Sequence, residues 1–197
     1  MEASATTGKA VAAKAMRADA RRNREKILVA ALDLFTERGT DVSLDAVARA
    51  AGVGVGTLYR HFPTREALVE AVYLHELDSL HESAAELLAE HPPGEALARW
   101  MDQLVDYGAT KRGMSSALQS VIAAGGNPYS ESRVKIAAAL ATLVDAARDA
   151  GVIRRDVDAE DVQRAIGGIW AMPFEPGWEE RARTLVGLVM DGLRYGA

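Results

Sequence analysis

The chain has 197 residues, 49% of them apolar and 6% aromatic, with a formal charge of −5 and no cysteine. That is enough apolar mass for one large domain or two small ones; the lack of cysteine excludes disulfides and thiolate metal sites, and the abundance of Ala, Leu, Val, Arg and Glu favours helices over strands. No apolar run approaches the roughly 18–20 residues that span a bilayer, and the basic, alanine-rich start lacks the apolar centre of a secretory signal, so the expectation is a soluble cytoplasmic protein with no membrane partner.

Residues 1–20 hold few large apolar side chains and read as a flexible basic arm, with alanines able to extend the first helix backwards. From Asn23 to Arg38, Ile27, Ala30, Ala31, Leu34 and Phe35 fall on one helical face. Gly39 suits a left-handed cap. Ser43 can cap a second helix carrying Leu44, Val47 and Ala48, and Gly52 ends it. A third, short helix covers about Gly54 to His61, and Pro63 closes it. Thr64 caps a long helix from Arg65 to about Glu90 with an apolar stripe.

The break at His91-Pro92-Pro93-Gly94 precedes a helix over Glu95–Thr110 and a shorter one over Met114–Ala123. After a Gly-Gly-Asn-Pro loop the spacing predicts a helix over Ser130–Ala150. Asp158 with Asp161 suits a capping pair for a helix ending near Trp170. The last helix runs from about Trp178 to Arg194. No strand pattern is evident, so the fold class is all-α with about nine helices.

Charge is unevenly placed. Residues 1–63 carry ten Lys and Arg against seven Asp and Glu, whereas residues 64–197 carry thirteen against twenty-one. A cationic first third on an acidic body suggests two parts with different partners. The cationic part contains the segment Ser43 to Phe62, two short helices about a glycine turn. This is a helix-turn-helix arrangement, whose second helix fits the major groove of DNA. Val47, Ala48, Val53, Leu58 and Phe62 can pack the unit together. Thr57, Tyr59, Arg60 and His61 are left over, and such groups bond phosphate oxygens and base edges. Gly54 and Gly56 keep the start of the helix slim, so its backbone can approach a duplex. Helix-terminal N–H groups can also meet a phosphate.

Residues 24–72 resemble the tetracycline-repressor (TetR) family of transcriptional regulators. The resemblance rests on Ile27, Ala30, Ala31, Leu34, Phe35 and Gly39, on Leu44, Val47, Ala48 and Gly52, and on Val53, Gly56-Thr57-Leu58-Tyr59-Arg60-His61-Phe62 and Leu68. It implies a homodimeric all-α protein with an N-terminal three-helix DNA-binding domain, a C-terminal domain for effector binding and dimerisation, and no enzymatic role. By matched position it implies that Tyr59 and His61 touch the DNA backbone, that Val55 and Thr57 face phosphate or bases, and that Ser43 caps and can touch phosphate. Arg65 stands where the family commonly has lysine and keeps a phosphate-binding cation. Arg22 and Arg24 can reach the backbone or minor groove. Gly54 departs from the family's usual serine-like cap and removes a side chain that could read bases. The alternatives are half-buried packing for Tyr59, an exposed helix-terminal histidine for His61, and solvated charges for Arg60 and the arginines of the first helix. The organisation expected is an arm over 1–20, a DNA-binding domain over 21–66 and an effector-binding and dimerisation domain over 67–197.

In the body, Trp100, Met101, Leu104, Tyr107, Met114, Leu118 and Trp170 could line a cavity, with Gln119 and the Tyr107 hydroxyl as polar groups. Ordinary core is the competing reading of each. The last two helices carry more apolar residues than one face needs: Ile166, Ile169, Leu185, Val186, Leu188, Val189 and Leu193. Gly167, Gly168, Gly187 and Gly192 allow close approach, so a four-helix dimer interface centred on Ile166, Ile169, Leu185, Val189 and Leu193 is expected. His75 and His81 are six apart, on different helix faces, and no metal or cofactor is expected. No nucleophile constellation, P-loop or dinucleotide fingerprint appears. The function expected is a repressor released from a pseudo-palindromic double-stranded DNA operator by an unidentified small-molecule effector. The alternatives are a DNA-binding regulator without effector and a helical small-molecule binding protein.

Overall fold

The computed structural model describes residues 2–173 and 175–196, with side chains from Met16 onward. Those residues form an all-α fold of nine helices: α1 (Glu2–Arg38), α2 (Leu44–Ala50), α3 (Val55–His61), α4 (Arg65–Glu90), α5 (Pro93–Gly113), α6 (Ser115–Ala123), α7 (Ser132–Asp149), α8 (Ala159–Ala171) and α9 (Trp178–Arg194). No helix among them is long and apolar enough to cross a membrane.

Local chemistry sets most of the boundaries. Ser43 Oγ accepts from Ala46 N, Thr64 Oγ1 accepts from Ala67 N, and Asp158 and Asp161 form a reciprocal capping box. Gly52 turns the chain between α2 and α3 at φ +65°, a conformation that favours glycine. Several boundaries move from the expected ones, among them the end of α5, at Gly113 rather than Thr110, and the start of α7, at Ser132 rather than Ser130. Helix α5 starts at Pro93 rather than Glu95, because a proline is tolerated at the first helical position, where its missing N–H would have no helical partner. Helix α1 begins at Glu2, so the backbone expected as an arm is helical, in line with its alanines. From Met16 to Lys26 no side chain of α1 is buried; its packed part starts at Ile27.

Helix α4 is the spine. It packs on α1, α5, α6 and α7. One continuous cluster of buried apolar side chains runs from Ile27 in α1, through Leu68, Tyr73 and Leu77 of α4, to Leu193 in α9. Buried polar groups tie α4 to α5 inside that cluster. Trp100 Nε1 donates to the Leu80 carbonyl at 2.8 Å, and the Tyr107 and Tyr73 hydroxyls bond at 2.7 Å. Helix α9 lies against α5 and α8, with an Arg183–Asp106 ion pair at its surface. The Arg154 N–H donates to the Leu193 carbonyl at 2.8 Å and ties the α7–α8 connection to the end of α9.

Candidate nucleic-acid interface and body cavity

Helix α3 has seven residues and is held by one fully buried side chain, Leu58, with Phe62 just beyond it. Leu58 and Phe62 pack into the core shared with Val47, Ala48, Ile27 and Ala31. The opposite face is uncovered: Val55 is 40% and Tyr59 45% exposed, and Gly56 and Arg60 lie beside them. Thr57 and His61 are half-buried at the edges. Arg60 folds back along its own helix, with Nε donating to the Gly56 carbonyl at 3.1 Å and a terminal nitrogen to Thr57 Oγ1 at 3.2 Å. Gly54 caps α3 without a side-chain hydrogen bond, as its lack of a side chain requires.

The first helix adds cations alongside. The Arg24 guanidinium lies 5.5 Å from the centre of the Phe62 ring, which is also tilted against His61 at 6.2 Å. Arg24, His61 and the end of α3 therefore share one edge. Arg22 is exposed and paired with Asp19 one turn earlier. Ser43 is exposed at the start of α2 and already engaged as its cap.

Arg65, expected as a phosphate-binding cation, donates its guanidinium to three successive backbone carbonyls, those of Thr40, Asp41 (3.3 Å) and Val42 (2.8 Å). It clamps the α1–α2 loop to the first turn of α4. A charged donor on carbonyls that no helix satisfies is a structural use of the side chain.

The body contains a cavity of about 620 Å3 between α5, α7 and α8. Helix α5 contributes Leu104, Tyr107, Gly108, Lys111 and Arg112, and Ser115 follows at the start of α6. Tyr129, Ser132, Arg133 and Ile136 form a second wall, and α8 supplies Glu160, Gln163, Arg164, Ile166, Gly167 and Trp170. Gly108 is required by this shape: a Cβ there would sit 2.1 Å from Cζ3 of Trp170, whose ring reaches α5 at that point.

Burial governs the electrostatics. It pushes the Tyr107 hydroxyl well above its ordinary range, helped by the bond with Tyr73, and it raises Tyr129. Burial also lowers the Lys111 ammonium, and the neighbouring Arg112 charge adds to the effect. The Lys111 Nζ lies 4.4 Å from the centre of the Tyr129 ring, in cation–π contact. Arg112 donates to the Trp170 carbonyl and stacks 4.8 Å from the Trp178 ring.

Of the residues expected around a cavity, Leu104, Tyr107 and Trp170 line this one. Trp100, Met101, Met114 and Leu118 do not; they are buried in the core between helices. Gln119 is exposed on α6, away from the lining. Apart from Tyr107, the charged and hydroxyl-bearing lining residues are absent from the sequence expectation. A signal for some of them exists: Leu104, Gly108, Lys111 and Ser115 repeat at helical spacing, and a face mixing Gly and Lys with Leu is no ordinary core face.

The expected dimer residues also divide. Ile166, Ile169 and Leu193 are buried within the subunit, and Ile166 lines the cavity. They satisfy the inward stripes of α8 and α9. Leu185 and Val189 are partly buried, whereas Leu188 is 63% exposed, and Gly167, Gly168, Gly187 and Gly192 are all exposed. His75 and His81 go to separate partners, Glu25 at 3.3 Å and the Lys135 carbonyl at 3.1 Å.

Comparison with known proteins places this geometry. Residues 27–72 match the model described as bacterial regulatory proteins, tetR family, and residues 92–195 match that described as transcriptional regulator SbtR-like, C-terminal domain. The chain is similar to the TetR transcriptional regulator SCO0520 from Streptomyces coelicolor, at 49% identity over 88% of this chain and 99% of that one, with a TM-score of 0.79. A TetR regulatory protein from Mycobacterium vanbaalenii is 35% identical over 91% of this chain and 99% of its own, with a TM-score of 0.73. Among curated sequences, the HTH-type transcriptional regulator SAR0097 of Staphylococcus aureus is 38% identical over 78 residues, which are 38% of this chain. That match spans only 40% of the relative's length.

Proposed function

Because this chain belongs to the TetR family of DNA-binding transcriptional regulators, which are not enzymes, we propose that it acts as a homodimeric repressor released from a pseudo-palindromic operator by a small-molecule effector. Residues 21–66 are the DNA-binding domain, residues 67–197 bind effector and form the dimer, and residues 1–20 act as a basic arm.

The observation that carries the reading is the uncovered face of α3. A seven-residue helix anchored by Leu58 and bare at Val55, Gly56, Tyr59 and Arg60 suits insertion in a major groove. Tyr59 and His61 then hold the backbone, joined by Arg22 and Arg24 from α1 and Ser43 at the start of α2. Thr57, released with Arg60 from their mutual hydrogen bond, contacts phosphate or base edges. Base readout is thin, so DNA shape contributes to specificity.

The dimer pairs α8 and α9 with their copies through Leu185, Leu188, Val189 and the exposed glycines, which puts two α3 helices in successive grooves about 34 Å apart. Effector in the cavity acts through α6. Ser115 lines the cavity, while Ser116, Ala117 and Ser120 face Thr40, Asp41 and Arg65 across a cleft of about 320 Å3. A ligand that favours one setting of α6 thereby favours one spacing of the reading heads, up to its differential affinity for the two states.

Gel-shift titration against fragments from the gene's own upstream region and from the rest of the genome tests the reading. At least one fragment should bind well above non-specific DNA, as one dimer per site. If none competes above non-specific DNA, the repressor reading fails.

A further inference from the structure

The charge of the cavity has a sign opposite to that of the body around it. Residues 64–197 hold thirteen Lys and Arg against twenty-one Asp and Glu, yet the lining carries Lys111, Arg112, Arg133 and Arg164 against Glu160 alone. Most of these charges are accounted for. Arg164 pairs with Glu160, and Arg112 is used on the Trp170 carbonyl and the Trp178 ring. The nearby Glu131 and Asp78 are both held by Lys135, at 2.7 and 2.6 Å. Lys111 and Arg133 make no ion pair with a described carboxylate, and Lys111 faces the Tyr129 ring. A half-buried ammonium costs solvation that a π-face only partly returns. Burial and Arg112 lower the Lys111 pKa for that reason.

We propose that this cavity takes an amphipathic carboxylic acid, its carboxylate between Lys111 and Arg133 and its apolar body against Leu104, Ile136 and Trp170. The class rests on the reading of the cavity as the effector site. The volume, about 620 Å3, lies in the range of small-molecule sites. Apolar walls with a few convergent polar groups orient such a ligand, and the Ser115 side-chain hydroxyl stands ready to donate to the second carboxylate oxygen, while that of Ser132 donates to the Tyr129 carbonyl at 3.0 Å. A compact ammonium with one guanidinium answers a single negative charge. The anion restores to Lys111 the partner that its surroundings lack.

Isothermal titration calorimetry on the full chain tests the class with matched probes: decanoate against decanamide, 2-naphthoate against 2-naphthamide, and decyl phosphate. At least one carboxylate should bind about tenfold tighter than its amide, equivalent to about 1.4 kcal/mol. Lys111→Gln should reduce that preference to roughly threefold or less while leaving amide affinity in place, a split that a merely structural role would not produce. Arg133→Ala should reduce it in part, and thermal melts of both variants report their fold. Equal binding of acid and amide, no binding by any probe, tighter binding of decyl phosphate, or a preference that survives both substitutions would each overturn the proposal. A carboxylate that binds with the expected preference yet leaves operator affinity unchanged keeps the ligand class and removes the release reading. Release by neutral compounds without preference for acids does the reverse.

Discussion

Arg65 shows how one side chain can brace the reading head from its base. Its guanidinium gathers the carbonyls of Thr40, Asp41 and Val42, so the loop before α2 and the start of α4 move together. Arg65→Ala strips charged donors from these carbonyls and should cost about 2 kcal/mol in urea unfolding. Operator affinity should fall with it, but the dependence of affinity on salt should keep its slope. A phosphate contact behaves otherwise: its removal lowers the slope by about one with stability intact, and that result would restore the phosphate role. Gly108 is a second position where one carbon decides the outcome. In a helix, alanine normally gains about 1 kcal/mol over glycine. Here the added Cβ meets the Trp170 ring at 2.1 Å, so Gly108→Ala should instead destabilise by about 1–3 kcal/mol. Trp170→Leu should relieve part of that cost, and a double-mutant cycle in thermal melts reads the coupling. Additive effects would mean that the ring leaves freely.

The helices were legible where their signals are local. Thr64, Asp158 with Asp161, and Gly52 act within four residues of themselves, so the ends of α4, α8 and α2 follow from the chain alone. The cavity was less legible, because its walls come from helices distant in sequence. Trp100 and Tyr107 look alike as bulky residues of one helix, and both bond α4, through Leu80 and Tyr73, yet only Tyr107 also borders the cavity beside α8. Only the packing of α8 decides between them. The same reason hid Arg133, Gln163 and Arg164, which are surface-like by type and become lining by position. For α1 the composition favours helix, but nothing in it states whether the helix is packed. Its stretch from Met16 to Lys26 buries no side chain. Deleting residues 2–20 should therefore leave the melting temperature within about 2 °C, since surface changes alter stability little. It also removes Lys9, Lys14 and Arg17, so non-specific DNA affinity should fall and its salt slope should shrink in proportion to the number of phosphates those cations neutralise. An unchanged slope would show that the arm does not meet DNA.

At the scale of the whole molecule, the proposed dimer turns a weak reading head into a specific one. One α3 exposes few hydrogen-bonding side chains, so a single head binds loosely. Two heads fixed at one spacing bind with a gain set by effective concentration. The surface that would fix them is unusual for a lone chain: Leu188 stands 63% exposed on α9, flanked by the partly buried Leu185 and Val189 and by the exposed Gly187 and Gly192. Glycines at the surface of a helix cost stability unless a neighbour uses the space they leave. Leu188→Asp places a like charge on both copies at the centre of that surface. It removes no buried contact within the subunit, so the melting temperature of the monomer should change little. Sedimentation at micromolar concentration should shift from dimer to monomer, and operator affinity should drop on the order of 10²–10⁴-fold. Half-operator affinity should stay within about threefold, because α3 and its supports are untouched by a change confined to the partner-facing surface. If the variant remained a dimer with full operator affinity, the four-helix interface would lie elsewhere, and the exposed stripe of α9 would need a different partner.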